Sequence, residues 1–163
     1  MVNVLIVEDS RVSREAFERT LSADSEYSVV AAIENAANAE IACMTNRIDL
    51  ILMDVCTADD ESGIRAAGKI KKNYPEVKII MMTSMPEYSF LQKAKESRCD
   101  SFWYKEYGET SLLEICSRTI KGEFVWPDKS PVVMIGLARS DEFTERELEV
   151  IRALVQGNRY EDY

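Results

Sequence analysis

Five residues of this 163-residue chain could do chemistry together: the carboxylates Glu8, Asp9 and Asp54, the hydroxyl of Thr83 and the ammonium of Lys105. Each directly follows a short apolar run. Glu8 and Asp9 follow residues 2–7, Asp54 follows 50–53, Thr83 follows 77–82, and Lys105 follows 101–104. Carboxylates gathered at one place repel one another, and the usual remedy is a hard divalent cation with oxygen ligands, Mg²⁺ being the best match. Without a cation, at least one carboxyl group should keep its proton to higher pH. A lysine beside them can neutralise phosphoryl oxygens, and a threonine hydroxyl can bond one without being the nucleophile. Singly, these residues have plainer readings: a charge pair at a helix start, a loop acid, a strand-end hydroxyl and a solvated surface lysine. The joint placement at four strand ends is what favours a site.

Other chemistries are excluded by what the chain lacks. With His 0, it has no Ser–His–Asp or Cys–His catalysis, no histidine-ligated zinc and no phosphohistidine of its own. Cys43, Cys56, Cys99 and Cys116 include no C-x-x-C pair and read as reduced thiols that pack as small hydrophobes. Gly63 and Gly68 do not make a G-x-G-x-x-G dinucleotide loop.

The elements that must position the five residues follow from the apolar pattern. Residues 2–7, 27–33, 50–53, 77–82 and 101–104 read as strands, most of them too continuously apolar to have a wet face. Between them lie helical stripes: Val12, Ala16, Phe17 and Leu21; Ile41 and Met44; Ile64, Ala67 and Ile70; Phe90, Leu91 and Ala94; and finally Leu112, Leu113, Cys116 and Ile120. Strand–helix alternation repeated five times predicts an α/β fold, a doubly wound parallel sheet of the flavodoxin-like (βα)5 kind. With strand order 2-1-3-4-5, the first and third strands are neighbours, so Glu8, Asp9 and Asp54 converge where ligands sit in such sheets.

After Gly122 the alternation stops. Residues 123–143 contain Pro127, Pro131 and Gly136 and read as a linker with a short apolar patch at 132–135. Thr144 and Glu147 have capping-box spacing, and Leu148, Ile151, Leu154 and Val155 follow at helical intervals, with Gly157 as a natural stop. Trp103 and Tyr104 read as strand packing and Trp126 as a cover over the linker.

Composition adds bounds. Asp and Glu number 29 against 20 Lys and Arg, a formal charge of −9, which disfavours a nucleic-acid surface over the whole chain. Apolar runs fall short of membrane-spanning length, and Glu8 and Asp9 interrupt the N-terminal run too early for a signal peptide, so the cytoplasm is the expected address.

On Val4–Asp9 with Ser10, Leu52-Met53-Asp54-Val55, Met82-Thr83-Ser84 and Phe102-Trp103-Tyr104-Lys105, the chain resembles the receiver domain of two-component response regulators over about residues 1–122. The resemblance implies Asp54 as phosphoacceptor, with Mg²⁺ held by Asp9, Asp54 and the backbone carbonyl of Cys56, and with Glu8 helping through water. It implies that Lys105 and Thr83 contact the phosphoryl group and that Phe102 is the aromatic that turns inward with Thr83. It further implies a sensor histidine kinase or phosphotransfer protein as donor and a homodimer as partner state. The implied activity is self-phosphorylation and self-dephosphorylation rather than enzymatic turnover. Residues 144–163 resemble the start of a LuxR-type helix-turn-helix, the pairing found in the NarL/FixJ subfamily of transcription regulators. That stretch ends before a recognition helix, so DNA would be reached only through the remainder of such a domain.

The loop from Val55 to Gly63 departs from the family pattern: it lacks the usual proline, is one residue longer and adds Asp59, Asp60 and Glu61. Cys56 and Met85 stand where receivers tune phosphoryl lifetime, and Ser84 stands where alanine or glycine is common. Two rivals are a receiver acting as a phosphorylation-independent adaptor and an aspartate-nucleophile phosphatase. The full residue set weighs against the first. Cys56 weighs against the second, since it occupies the place of that class's second acid.

Overall fold

The structure, a computed structural model, describes residues 1–85, 87–106, 110–127, 134–135, 138–139 and 142–161. Five strands, β1 (Val2–Val7), β2 (Tyr27–Ile33), β3 (Leu50–Asp54), β4 (Lys78–Thr83) and β5 (Ser101–Tyr104), form one parallel sheet in the order β2-β1-β3-β4-β5. Helices α1 (Arg11–Ser22), α2 (Ala39–Thr45), α3 (Gly63–Asn73), α4 (Tyr88–Glu96) and α5 (Leu112–Ile120) cover both faces. The predicted topology is the observed one. β3 and β4 each run one residue further than their apolar runs, because Asp54 pairs with Met82 and Thr83 with Tyr104 inside the ladders.

Alternate residues of each strand feed two cores. Leu5, Val7, Ile51, Met53, Ile79 and Met81 meet α2, α3 and α4 on one face. Val4, Ile6, Leu50, Leu52, Ile80 and Met82 meet α1 and α5 on the other. Burial on both sides is why the strands read as unbroken apolar runs, and each such leucine or isoleucine contributes roughly 1.5–3 kcal/mol by leaving water. Serines start three of the helices: Ser10, Ser62 and Ser111 accept from the backbone N–H of Ser13, Arg65 and Glu114.

The predicted helical stripes need correction at two helices. On α1, Leu21 is buried and Phe17 half-buried, but Val12 is 80% exposed and Ala16 is exposed too. On α2 the expected Ile41 and Met44 face solvent, and Ala39, Ala42 and Cys43 make the contact instead. Small side chains let that helix lie close to the sheet, so its buried face is not its most hydrophobic one.

The segment read as a linker starts as part of the domain. Phe102 N–H donates to Val125 O at 2.9 Å, Val125 N–H to Ser101 Oγ at 3.1 Å, and Trp126 Nε1 to Asp100 O at 3.0 Å. Trp126 stacks on Phe102 with centroids 5.9 Å apart, so it covers the edge strand β5 rather than the linker. Further on, β6 (Met134–Ile135) and β7 (Ala138–Arg139) form a small antiparallel pair, while the rest of the apolar patch, residues 132–133, lies outside the described residues.

The C-terminal helix α6 (Glu145–Glu161) starts at the expected capping box. Thr144 N–H donates to Glu147 Oε2 at 2.7 Å, and Glu147 N–H to Thr144 Oγ1 at 3.3 Å. It runs through Gly157 rather than stopping there. Leu148 is buried and Ile151 half-buried, but Leu154 is exposed, and the side chain of Val155 lies outside the described ones.

Candidate functional site

The C-terminal ends of β1, β3, β4 and β5 bring the five predicted residues to one rim of the sheet. Glu8 and Asp9 leave β1, Asp54 ends β3, Thr83 ends β4, and Lys105 follows β5. Together they line a cleft of about 280 Å³, which Cys56 also lines. Glu8, Asp9 and Asp54 each offer a carboxylate oxygen, and these oxygens lie within 4.8 Å of one another. Lys105 Nζ lies 2.5 Å from Glu8 Oε2 and 3.3 Å from Asp54 Oδ2.

The electrostatics of this cluster are those of crowded, buried charge. Burial pushes the Asp54 carboxyl up to about 8; Lys105 pulls it down, and the charges of Glu8 and Asp9 push it up again. Burial works against the Lys105 ammonium, yet Asp54 and Glu8 prevail and hold its pKa above the ordinary lysine value. Three hard oxygen donors with surplus negative charge suit a divalent cation of the Mg²⁺ type, so the residues present fit the metal that the sequence implies.

Neighbouring groups fix the cluster. Glu8 Oε1 accepts from Ser10 N–H at 3.1 Å, and Arg14 Nη1 donates to the Glu8 carbonyl at 2.8 Å, holding the β1–α1 corner. Thr83 is buried, and its Oγ1 accepts from Met85 N–H at 3.0 Å, tying the hydroxyl to the β4–α4 loop. Phe102 is turned inward, packed between Tyr104 at 5.3 Å and Trp126. Trp103 lies on the opposite face of the sheet, edge-on to Phe17, and donates to Thr110 O, consistent with strand packing.

The extended loop after β3 is pinned away from the cluster. Thr57 Oγ1 accepts from Ala36 N–H at 2.9 Å and donates to Glu61 O at 2.8 Å. Asp59 and Asp60 adopt positive φ, at 59° and 57°, which accommodates the additional residue without a glycine. Asp59, Asp60 and Glu61 are exposed and stand outside the three-carboxylate group, so their charge acts at longer range than their sequence proximity suggests.

Some residues that shape the site were not singled out for that role from the sequence. Gly63 lets α3 start against β3: a Cβ there would lie 1.8 Å from the Asp54 carbonyl oxygen. Its place after the Asp54 loop was the available signal. Arg152, on α6, also lines the cleft, and nothing in local spacing reveals a contact between residues so far apart in sequence.

A five-stranded parallel sheet in this order, with clustered carboxylates and one lysine at its C-terminal rim, defines the class: a flavodoxin-like α/β fold with an acidic site at the strand ends. Residues 4–117 match the family described as the response regulator receiver domain, and the chain belongs to that family. It is 29% identical to the response regulator protein VraR of Staphylococcus aureus, with 96% of this chain and 77% of that protein covered. Among solved structures, a LuxR-family two-component response regulator from Aurantimonas sp. SI85-9A1 has a TM-score of 0.71 at 21% identity, covering 94% of this chain and 99% of that one. The isolated REC domain of RcsB from Salmonella enterica serovar Typhimurium, with the phosphomimetic BeF3⁻, gives 0.70 at 19% identity, covering 78% and 94%. Among the described residues, no helix is long and apolar enough to cross a membrane.

Proposed function

We propose that Asp54 is the phosphoacceptor of this receiver and that its modification switches a protein-binding surface. The observation that carries the reading is the Asp54 carboxylate 3.3 Å from Lys105 Nζ, with oxygens of Glu8 and Asp9 within 4.8 Å, at the rim where the sheet opens. Asp54 Oδ attacks the phosphorus of the donor. An O–P bond forms as the donor's P–N or P–O bond breaks, and the electron pair departs with the donor. Asp9, Asp54 and the Cys56 carbonyl would hold Mg²⁺, with Glu8 assisting through water. When bound, that ion supplies charge balance for the transferring group. Lys105 neutralises a phosphoryl oxygen, and the Thr83 hydroxyl donates to another.

Moving Thr83 toward the phosphoryl group exchanges its bond to Met85 N–H for one to phosphate, which shifts the β4–α4 loop and the space beside Phe102. The surface formed by α4, β5 and α5 is the one so biased. With no histidine in the chain, the donor acts in trans: a sensor histidine kinase, a phosphotransfer protein or a small phosphodonor. A phosphorylation-favoured homodimer fits the reading, since RcsB, a structural neighbour, occurs as dimers bound to DNA. In this scheme residues 1–122 are the receiver, 123–143 connect it, and 144–163 correspond to the start of a LuxR-type helix-turn-helix. The cytoplasm is the matching compartment.

Incubation with acetyl phosphate or phosphoramidate plus Mg²⁺ tests the reading. One acid-labile phosphoryl group per chain, lost in Asp54→Asn, is the expected result. A chain that stays unmodified, or a variant modified as well as the parent, overturns it in favour of an adaptor role.

A further inference from the structure

Helix α6 reaches the rim through one side chain. Arg152 Nη1 donates to Glu87 Oε2 at 3.0 Å, and the guanidinium lies over the Phe90 ring, 5.0 Å from its centroid. Glu87, at the N-terminal cap of α4, is only 1% exposed, and its other oxygen accepts from Ser89 Oγ at 2.9 Å. A carboxylate buried this deeply requires a cation, and Arg152 is its ion-pair partner among the described residues. Among the described residues, the bond to Glu87 is the hydrogen bond that the guanidinium makes, which leaves further N–H donors there for another acceptor, and Arg152 lines the same cleft as Asp54, Thr83 and Lys105. A planar, permanently charged fork with donors to spare, in the cleft that Asp54 also lines, is matched to phosphoryl oxygens.

We propose that Arg152 is a phosphoryl-contacting residue: when Asp54 is phosphorylated, its unused donors bond the phosphoryl oxygens and helix α6 closes over the modified site. The inference rests on Asp54 being the acceptor. It assigns to a helix outside the matched receiver region a direct part in reading the modification. Two consequences follow by linkage, since any group that binds better to the docked helix also holds the helix down. Phosphorylation tightens the docking of α6. Docked α6 in turn slows hydrolysis, in which water oxygen attacks phosphorus, the bond to the Asp54 oxygen breaks, its electrons return to the carboxylate, and the proton leaves with inorganic phosphate.

The test uses the full chain and fluoroberyllate with Mg²⁺ as the phosphoryl stand-in, reading affinity by calorimetry and the docking of residues 145–154 by hydrogen exchange. In the parent, fluoroberyllate slows exchange in α6. Arg152→Met keeps a stem over Phe90 but no donors; it should weaken fluoroberyllate binding by roughly tenfold, the value of a charge-assisted bond, and abolish the slowing. Glu87→Gln retains the guanidinium and should retain the fluoroberyllate-dependent slowing, which a merely structural latch would lose. Arg118→Met, on the exposed side of α5, is the control for removing a positive charge and should leave affinity unchanged. Unchanged or faster α6 exchange in the parent, or Arg152→Met binding within about twofold of the parent at an unaltered urea midpoint, overturns the inference and leaves the phosphoacceptor reading intact. Absence of Asp54-dependent fluoroberyllate binding in the parent would instead overturn both.

Discussion

Metal binding at the cleft is expected to displace a proton from Asp54, and the amount follows from the site's electrostatics. Burial and the neighbouring Glu8 and Asp9 charges hold that carboxyl near pKa 8 in the metal-free protein, despite the pull of Lys105. Below that value the protonated form predominates, and a cation that needs the carboxylate must expel the proton. Calorimetric titration with Mg²⁺ in two buffers of different ionisation heat measures the release. The release should be largest at neutral pH and below and fall away as pH rises past that pKa. Apparent affinity should weaken about tenfold for each pH unit below 7 and level off above 8. Asp54→Asn should remove the release. A release below about 0.2 at pH 7, or affinity independent of pH between 6 and 8, would refute the claim that Asp54 is desolvated and crowded.

Stability should show the same carboxyl from the other side. Its folded pKa is raised above the unfolded value, so the folded state binds more protons and loses stability as pH rises from about 4 toward 8. Metal-free Asp54→Asn should therefore gain on the parent in unfolding free energy by up to about 1.4 kcal/mol per pH unit between pH 5 and 7, and a constant gap in urea unfolding would contradict this. Lys105→Met should cost about 3–5 kcal/mol in urea unfolding without metal, because the buried Glu8 carboxylate loses its ion-pair partner; a loss under about 1 kcal/mol would show that partner to be dispensable. Gly63→Ala should cost on the order of 3 kcal/mol and slow phosphorylation, as its Cβ would meet the Asp54 carbonyl; wild-type rates and stability would mean α3 shifts freely. At the opposite end of the sheet, Lys71→Met should destabilise by about 1–3 kcal/mol without changing Mg²⁺ affinity, since the buried Asp100 loses one charged donor but keeps Lys78 at 3.7 Å and the Ile79 N–H.

The sheet was legible because both its faces are covered. Continuous apolar runs leave no alternative to a buried parallel strand, and chain order then places Glu8, Asp9, Asp54, Thr83 and Lys105 at one rim. The helices were less legible where hydrophobicity and contact part company. On α2, Ala39 and Ala42 pack while Ile41 and Met44 do not, and the first turn of α1, with Val12, stands at the rim where the sheet has ended. Two tertiary relations escape any local pattern: the docking of Val125 and Trp126 along β5, and Arg152 meeting Glu87 across 65 positions of sequence. The course of the long β3–α3 loop was not legible either. Its acids are near Asp54 in sequence, but the Thr57 bonds and two left-handed residues turn them to solvent.

Chemical trapping of the modified carboxylate identifies the acceptor residue itself. An aspartyl phosphate is an acyl phosphate, so borohydride reduces it to an alcohol and marks the acceptor position for peptide mapping. After treatment with acetyl phosphate and Mg²⁺, the account predicts conversion at position 54 alone. Conversion at Glu8, Asp9 or any other acid, or none in protein that has gained phosphate, would contradict it.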